Sequence, residues 1–291
     1  MRSMLRKALT RPHRLPALLR AQRELDRLGQ HPHELVRRVA QACDDALHGR
    51  FDAEAAAVVD RIEGLRQRAS ASTERVLFED FGAGSPTANL SEAEMAAGRQ
   101  MQRTVGELSR AASKRPVWAA LLWHLVRALK PTRGVELGCC VGVSACYQAE
   151  AMRLNGNGGR LWTLEGARAL AAVSQRHFAE LSVTNVDVVV GRFQDTLDGV
   201  LAERGPIDYA FIDGHHDEAA TARYLEQILP HCQPRALLVF DDIDWSAGMA
   251  RAWQAIEADP RIPLAIDCGE IGLCVLEPAL TARVRARAPL W

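Results

Sequence analysis

The chain is short of aromatic residues, which make up 5% of its 291 positions, and of lysine, which occurs only at 7, 114 and 130 among 36 basic residues. The bias toward arginine reads as genomic in origin and points to no particular chemistry. Cysteines number seven, an odd count with no CxxC pair, so a disulfide scaffold is excluded and reduced thiols in a cytoplasm are expected. No apolar run approaches the roughly 18 residues of a membrane-spanning helix. Arg, Pro and His interrupt the N-terminus where a signal peptide needs an apolar stretch. Charge of one sign is lacking too: 36 basic residues meet 36 acidic ones, which argues against a whole-chain binder of nucleic acid or another polyanion. What remains, 48% hydrophobic and 25% charged residues, suits a large domain with a buried core, or one domain with an appendage.

Residues 1–70 carry apolar stripes at helical spacing, Leu15, Leu18, Leu19, Leu25 and Leu28 in one stretch, Leu35, Val36, Val39 and Leu47 in the next, Val58, Val59, Ile62 and Leu65 in a third. Met1 to Arg23 holds seven basic residues and no acid. We read 1–90 as a helical extension and linker, with 70–89 an ordered loop or linker. A targeting peptide, an anionic-surface contact and a dimer-forming arm are the readings of the basic stretch, and the arm is favoured because amphipathic helices continue to residue 70. Ser91 and Glu94 have capping-box spacing and predict a helix start. From Val117 onward, strands predicted at 134–138, 160–165, 186–190, 207–213 and 236–241 alternate with helices at 142–154, 167–182, 194–203, 217–230 and 246–258. That cadence builds a parallel sheet with helices on both faces. The last two strands, 261–267 and 271–277, are too closely spaced for a crossover and predict an antiparallel hairpin at the sheet edge.

The first strand runs into Glu136-Leu137-Gly138-Cys139-Cys140-Val141-Gly142-Val143-Ser144. Glycines at a strand-to-helix turn let backbone approach a ligand, and the helix N-terminus offers free N–H groups. A full GxGxxG is missing, and Glu136 would repel a pyrophosphate but favour a cationic amino-acid group, which counts against a nicotinamide oxidoreductase. Cys139 and Cys140 read as small packing groups. Two later strands end in acids and histidines, Asp213-Gly214-His215-His216 and Asp241-Asp242, at the edge where open parallel sheets bind ligands.

The run VELGCCVGVSA resembles the first motif of class I S-adenosylmethionine-dependent methyltransferases, most closely the catechol O-methyltransferase-like branch. The tetrad Asp213-Gly214-His215-His216 resembles related Asp-Gly-x-His methyltransferase domains. The resemblance spans about 117–277 and implies an α/β, doubly wound, seven-stranded Rossmann-like sheet with an antiparallel last strand, in a domain of residues 91–291. It implies S-adenosylmethionine held by Glu136, Gly138, Gly142, Ser144, Glu165 (ribose), Phe193 and Gln194 (adenine), Asp213 and His215. In the cation-dependent branch, Asp213 and Asp241 match two aspartates that hold Mg²⁺ or another divalent ion. Asp242 stands where that branch has Asn, which leaves Asp213, Asp241 and Asp242 as an all-carboxylate trio expected to hold the ion. The metal-free alternative makes His216 the general base, with Asp213 beside it. Trp245 is a candidate wall of the acceptor pocket.

The expectation is therefore methyl transfer to a small-molecule acceptor, at oxygen, helped by a divalent cation or a His base. Metal-independent N- or C-methylation is the second enzyme reading. A catalytically silent S-adenosylmethionine-binding or assembly protein is the reading from another class, disfavoured by the polar groups gathered at the reacting end. A cytoplasmic homodimer, associated through the N-terminal helices and without a nucleic-acid partner or membrane span, completes the expectation.

Overall fold

A computed structural model describes residues 15–84 and 90–290. Most of the basic N-terminal stretch, and Ser85 and Pro86 of the expected loop, lie outside them. Three helices open the described chain: α1 (Leu15–Gly29), α2 (Glu34–His48) and α3 (Ala53–Ala71). The Asp52 carboxylate caps α3 by accepting from the Ala55 N–H at 2.8 Å, and Gly49 closes α2 in the left-handed region at φ +61°. Their apolar stripes are buried inside the chain, with Leu18, Leu28, Val36, Val39, Ile62 and Leu65 at 5% exposure or less. Apart from Leu15 and Leu19, which are exposed, the stripes taken to suggest a dimer arm thus face this chain's own core.

The stretch read as loop contains a strand, β1 (Arg75–Asp80), paired antiparallel with β2 (Arg99–Thr104). Short α4 (Glu92–Ala97) lies between them, and the capping box of Ser91 and Glu94 is formed as expected. Thr104 and Glu107 form a second box at α5 (Val105–Ala112). The helix α6 (Pro116–Leu129) follows, with Pro at its start and Trp118 to Trp123 wholly buried.

Then come β3 (Arg133–Leu137), α7 (Val143–Asn155), β4 (Arg160–Glu165), α8 (Arg168–Leu181), β5 (Val186–Val190), α9 (Phe193–Arg204), β6 (Ile207–Ile212), α10 (Glu218–Ile228), β7 (Cys232–Phe240), α11 (Ala247–Ala258), β8 (Leu264–Asp267), β9 (Gly272–Val275) and β10 (Val284–Arg287). The sheet order is β10-β8-β9-β7-β6-β3-β4-β5. The expected α/β sheet is present with one correction: it has eight strands, not seven, because β10 pairs parallel to β8 and covers the hairpin placed at the edge. A four-residue strand bearing two arginines, Arg285 and Arg287, gives little hydrophobic signal.

Two apolar cores flank the sheet. One joins α1–α3 and α5–α8 to one face, with Trp118, Trp123 and Tyr147 among its largest members; the other holds α9, α10 and α11 against the opposite face. In the central register Leu137 stands opposite both Leu164 and Ile212, and Ile212 opposite Phe240. Asp213 and Asp241 therefore emerge side by side at the carboxyl ends of adjacent β6 and β7, with Glu165 at the same edge beyond β3.

Candidate active site

The carboxyl end of the sheet opens into a cavity of about 650 Å³, bordered on its outer side by β1, the residues after it and the start of α6. The turn after β3 needs its first glycine. Gly138 has φ +99°, and a Cβ there would lie 2.1 Å from the Asp213 carbonyl oxygen. Gly138, Cys139, Cys140, Val141, Val143 and Ser144 line the cavity. Burial pushes the Cys140 thiol up to about 12 and Cys139 well above the ordinary thiol range, which suits packing and not nucleophilic chemistry.

Three of the expected cofactor residues lie off the cavity. Glu136 is fully buried beneath the turn and does not line the cavity: its carboxylate accepts from Ser144 Oγ at 2.7 Å, Gln148 Nε2 at 2.6 Å and Thr163 Oγ1 at 2.6 Å. Burial raises its pKa while the three hydrogen bonds pull it down. Gly142 starts α7 at φ +82°, where a Cβ would meet Phe178 and Ser174, so it serves helix packing behind the cavity. Gln194 is exposed on α9, also off the cavity, because the helical turn that buries Phe193 points its neighbour to solvent.

The rest of the expected cofactor set is brought together. Glu165 accepts from the Cys140 N–H at 2.7 Å and the Ala167 N–H at 2.9 Å and lines the cavity; burial pushes its carboxyl up to about 7 against those two bonds. Phe193 and His215 meet edge to face at 5.4 Å, and His215 Nδ1 hydrogen-bonds the Tyr224 hydroxyl. His215 and His216 both have positive φ, 63° and 48°.

His216 lies half-buried with Nε2 3.7 Å from Asp213 Oδ1, Nδ1 3.5 Å from Asp242 Oδ2, and its ring 5.6 Å from Trp245. Burial pushes it down to about 4, so the ring is neutral near pH 7. Asp213, His216 and Asp242 line the cavity, as does Trp245; Asp241 lies behind them, 2% exposed. Burial and the neighbouring Asp241 hold the Asp213 carboxyl well above the usual range. Burial also acts on Asp241, yet the ammonium of Lys114 holds it below that range. Asp242 is pushed up to about 7 by burial and by Asp241.

Lys114 is the residue that the sequence reading missed. Its Nζ donates to Asp213 Oδ1 at 3.2 Å and to Asp241 Oδ2. It lies outside every motif, 99 and 127 residues from its partners, and the scarcity of lysine was its only signal. For a divalent ion, one atom each from Asp213, His216 and Asp241 lie within 4.8 Å of one another, a different trio from Asp213, Asp241 and Asp242. Both aspartate carboxylates of this trio already hold an ammonium, so these residues do not fit a metal ion as they stand.

Residues 135–243, over a third of the chain, match the family model described as a methyltransferase domain. No curated protein matches the chain. Among solved structures, an O-methyltransferase from Bacillus cereus in complex with SAH is 23% identical, covering 57% of this chain and 84% of its own, with a TM-score of 0.50. The SAH-bound methyltransferase PaMTH1 of Podospora anserina is 17% identical over 78% of this chain and 96% of its own, with a TM-score of 0.49. The O-methyltransferase TomG of Streptomyces achromogenes, in complex with SAM, is 21% identical over 57% and 82%, with a TM-score of 0.47. The likeness to the Bacillus structure shows a shared fold.

Proposed function

We propose that the chain, whose residues 135–243 match a methyltransferase domain, is a class I, S-adenosylmethionine-dependent enzyme that methylates an oxygen of a small molecule, with His216 receiving the acceptor's proton. The observation that carries this reading is the single cavity of about 650 Å³, which joins the Gly138–Ser144 turn and Glu165 to His216, Asp213 and Trp245. Its volume is in the range of small-ligand sites.

The cavity's chemistry fits S-adenosylmethionine. Gly138 leaves room at the turn where a side chain would not fit, Glu165 is a buried acid able to accept from ribose hydroxyls, and the perpendicular rings of Phe193 and His215 offer apolar surface to the base. When bound, the sulfonium supplies an electrophilic methyl carbon. The first N–H groups of α7 suit a carboxylate. His216 is neutral near pH 7 and so free to take a proton, and Trp245 beside it walls off the place for an acceptor.

Calorimetric titration with S-adenosylhomocysteine, followed by methyl-transfer assays on a panel of hydroxyl, amine and carbon-acid acceptors, tests the reading. Binding with turnover on hydroxyl acceptors is expected. Turnover confined to amines or carbon acids would establish the N- or C-methylation reading, and binding without turnover the silent one. Among the described residues no helix is long and apolar enough to cross a membrane. The proposal includes a cytoplasmic setting, where the seven free thiols are at home. Any homodimer through the N-terminal helices would use their outer faces, where Leu15 and Leu19 are exposed.

A further inference from the structure

We propose that Lys114 is a built-in replacement for a divalent cation: its ammonium occupies the place between Asp213 and Asp241 and holds the acceptor oxygen, so that the transfer needs no metal. The inference rests on the methyltransferase reading above. Its core is the juxtaposition of one ammonium with two carboxylates at the ends of adjacent strands β6 and β7. A metal at the trio of Asp213, His216 and Asp241 would share two carboxylates with Lys114, and two cations held that close repel strongly in a site sheltered from water.

The lysine is anchored where it stands. Arg66 Nη1 of α3 donates to the Lys114 carbonyl, and Arg66 Nε in turn meets Glu63 Oε1 at 3.0 Å. Glu63 also accepts from the Tyr147 hydroxyl at 2.6 Å. On the other side Arg115 pairs with Glu270, which accepts from Trp118 Nε1 at 2.6 Å. The helical extension thus helps to fix a residue of the reacting end. The Lys114 side chain is 12% exposed and lines the cavity.

An ammonium has three donors, and two go to the aspartates, which leaves one for a ligand. Directed at a hydroxyl acceptor, it stabilises the oxyanion that forms as the proton leaves, the service a hard cation gives in a metal-dependent site. The balance is simple. The acceptor O–H bond breaks and its proton passes to His216; the oxygen bonds to the methyl carbon; the carbon–sulfur bond of S-adenosylmethionine breaks, and sulfur keeps the electron pair as a thioether.

Mn²⁺ titrated into the full chain and followed by the electron paramagnetic resonance of the free ion tests the occupancy without any acceptor. Wild type and Lys114→Arg, which keeps the charge, are expected to take up no stoichiometric Mn²⁺, whereas Lys114→Ala gains one site. Circular dichroism confirms that each variant is folded. With a hydroxyl acceptor in hand, wild-type kcat should survive rigorous chelation, and Lys114→Ala should lose about 10²-fold or more in kcat and recover part of it with Mn²⁺. Equal Mn²⁺ affinity in wild type and Lys114→Ala, or no site in either, overturns the proposal whether or not any acceptor is turned over. Retained Mn²⁺ exclusion with no methyl transfer would count against the function, and not against the occupancy.

Discussion

Ser144 Oγ donates to Glu136 Oε1 across 2.7 Å, a bond that turns the acid of the glycine-rich run inward, under the cofactor turn and away from the cavity. Gln148 and Thr163 complete its coordination, so the carboxylate ties β3, β4 and α7 together. Glu136→Leu should leave three donors unsatisfied and cost about 3 kcal/mol or more in stability. Urea unfolding measures that loss. Glu136→Gln keeps an acceptor and the shape, and should leave S-adenosylhomocysteine affinity within about threefold, since lost net hydrogen bonds there are worth a fraction of a kcal/mol at the ligand. A large loss of affinity in a stable Glu136→Gln would return this residue to the binding site.

Glu165 gives a pH signature. Its carboxyl is pushed up to about 7 from the ordinary 4.5, and ribose hydroxyls bind the ionised form. Cofactor affinity should then fall as pH drops below 7, with the dissociation constant rising about tenfold between pH 8 and pH 6. The stability of the free protein has the opposite sign. A raised pKa contributes stability that is fully present below 4.5 and lost as pH rises through 7. Glu165→Gln should flatten the pH dependence of binding and weaken it by about 1.5–3 kcal/mol, measured by calorimetry at two pH values.

For His216, replacement by Ala should lower kcat by about 10²- to 10⁴-fold with little change in cofactor affinity, as expected for loss of a general base. Because its pKa lies at about 4, kcat should be flat from pH 6 to 8 and fall only as the ring is protonated toward pH 4. An ascending limb near 6.5 would show that the imidazole is far more solvated than the fold makes it. The depressed pKa also means that stability present above 6.5 is lost as pH falls through 4.

Gly138→Ala should cost about 3 kcal/mol or more, because an added Cβ meets the Asp213 carbonyl at a left-handed backbone position. The unfolding midpoint checks stability and S-adenosylhomocysteine binding checks the turn. An alanine variant as stable as wild type would show that the turn after β3 follows another path.

Periodicity and turn chemistry made most of the sheet readable: β4 and β5 run over the expected residues, and the other early strands differ by a few at their ends. The strands β1 and β10 escaped because Arg75–Asp80 and Val284–Arg287 are short, charged and one-sided, so burial does not mark them. In the site, Ser144, Glu165, Phe193, Asp213, His215, His216 and Asp242 could be placed at the cavity because the ends of adjacent parallel strands converge by topology alone. The direction of a side chain within a motif is a different matter, as Glu136 and Gln194 show. Both lie in matching segments, and the pleat or the helical turn carries each of them off the cavity.

What the sequence by itself determined is the alternation of strands and helices from β3 to β9, the glycine turn and the row of acids at the strand ends, since each follows from local spacing and steric need. What only the tertiary structure decided is the charge at the heart of the site. Lys114 meets Asp213 and Asp241 from 99 and 127 residues away, on a segment held by Arg66 of the N-terminal helices. No local pattern encodes such a contact, because an ion pair across packed layers depends on where the backbone of each layer comes to rest, and that is fixed by the core as a whole.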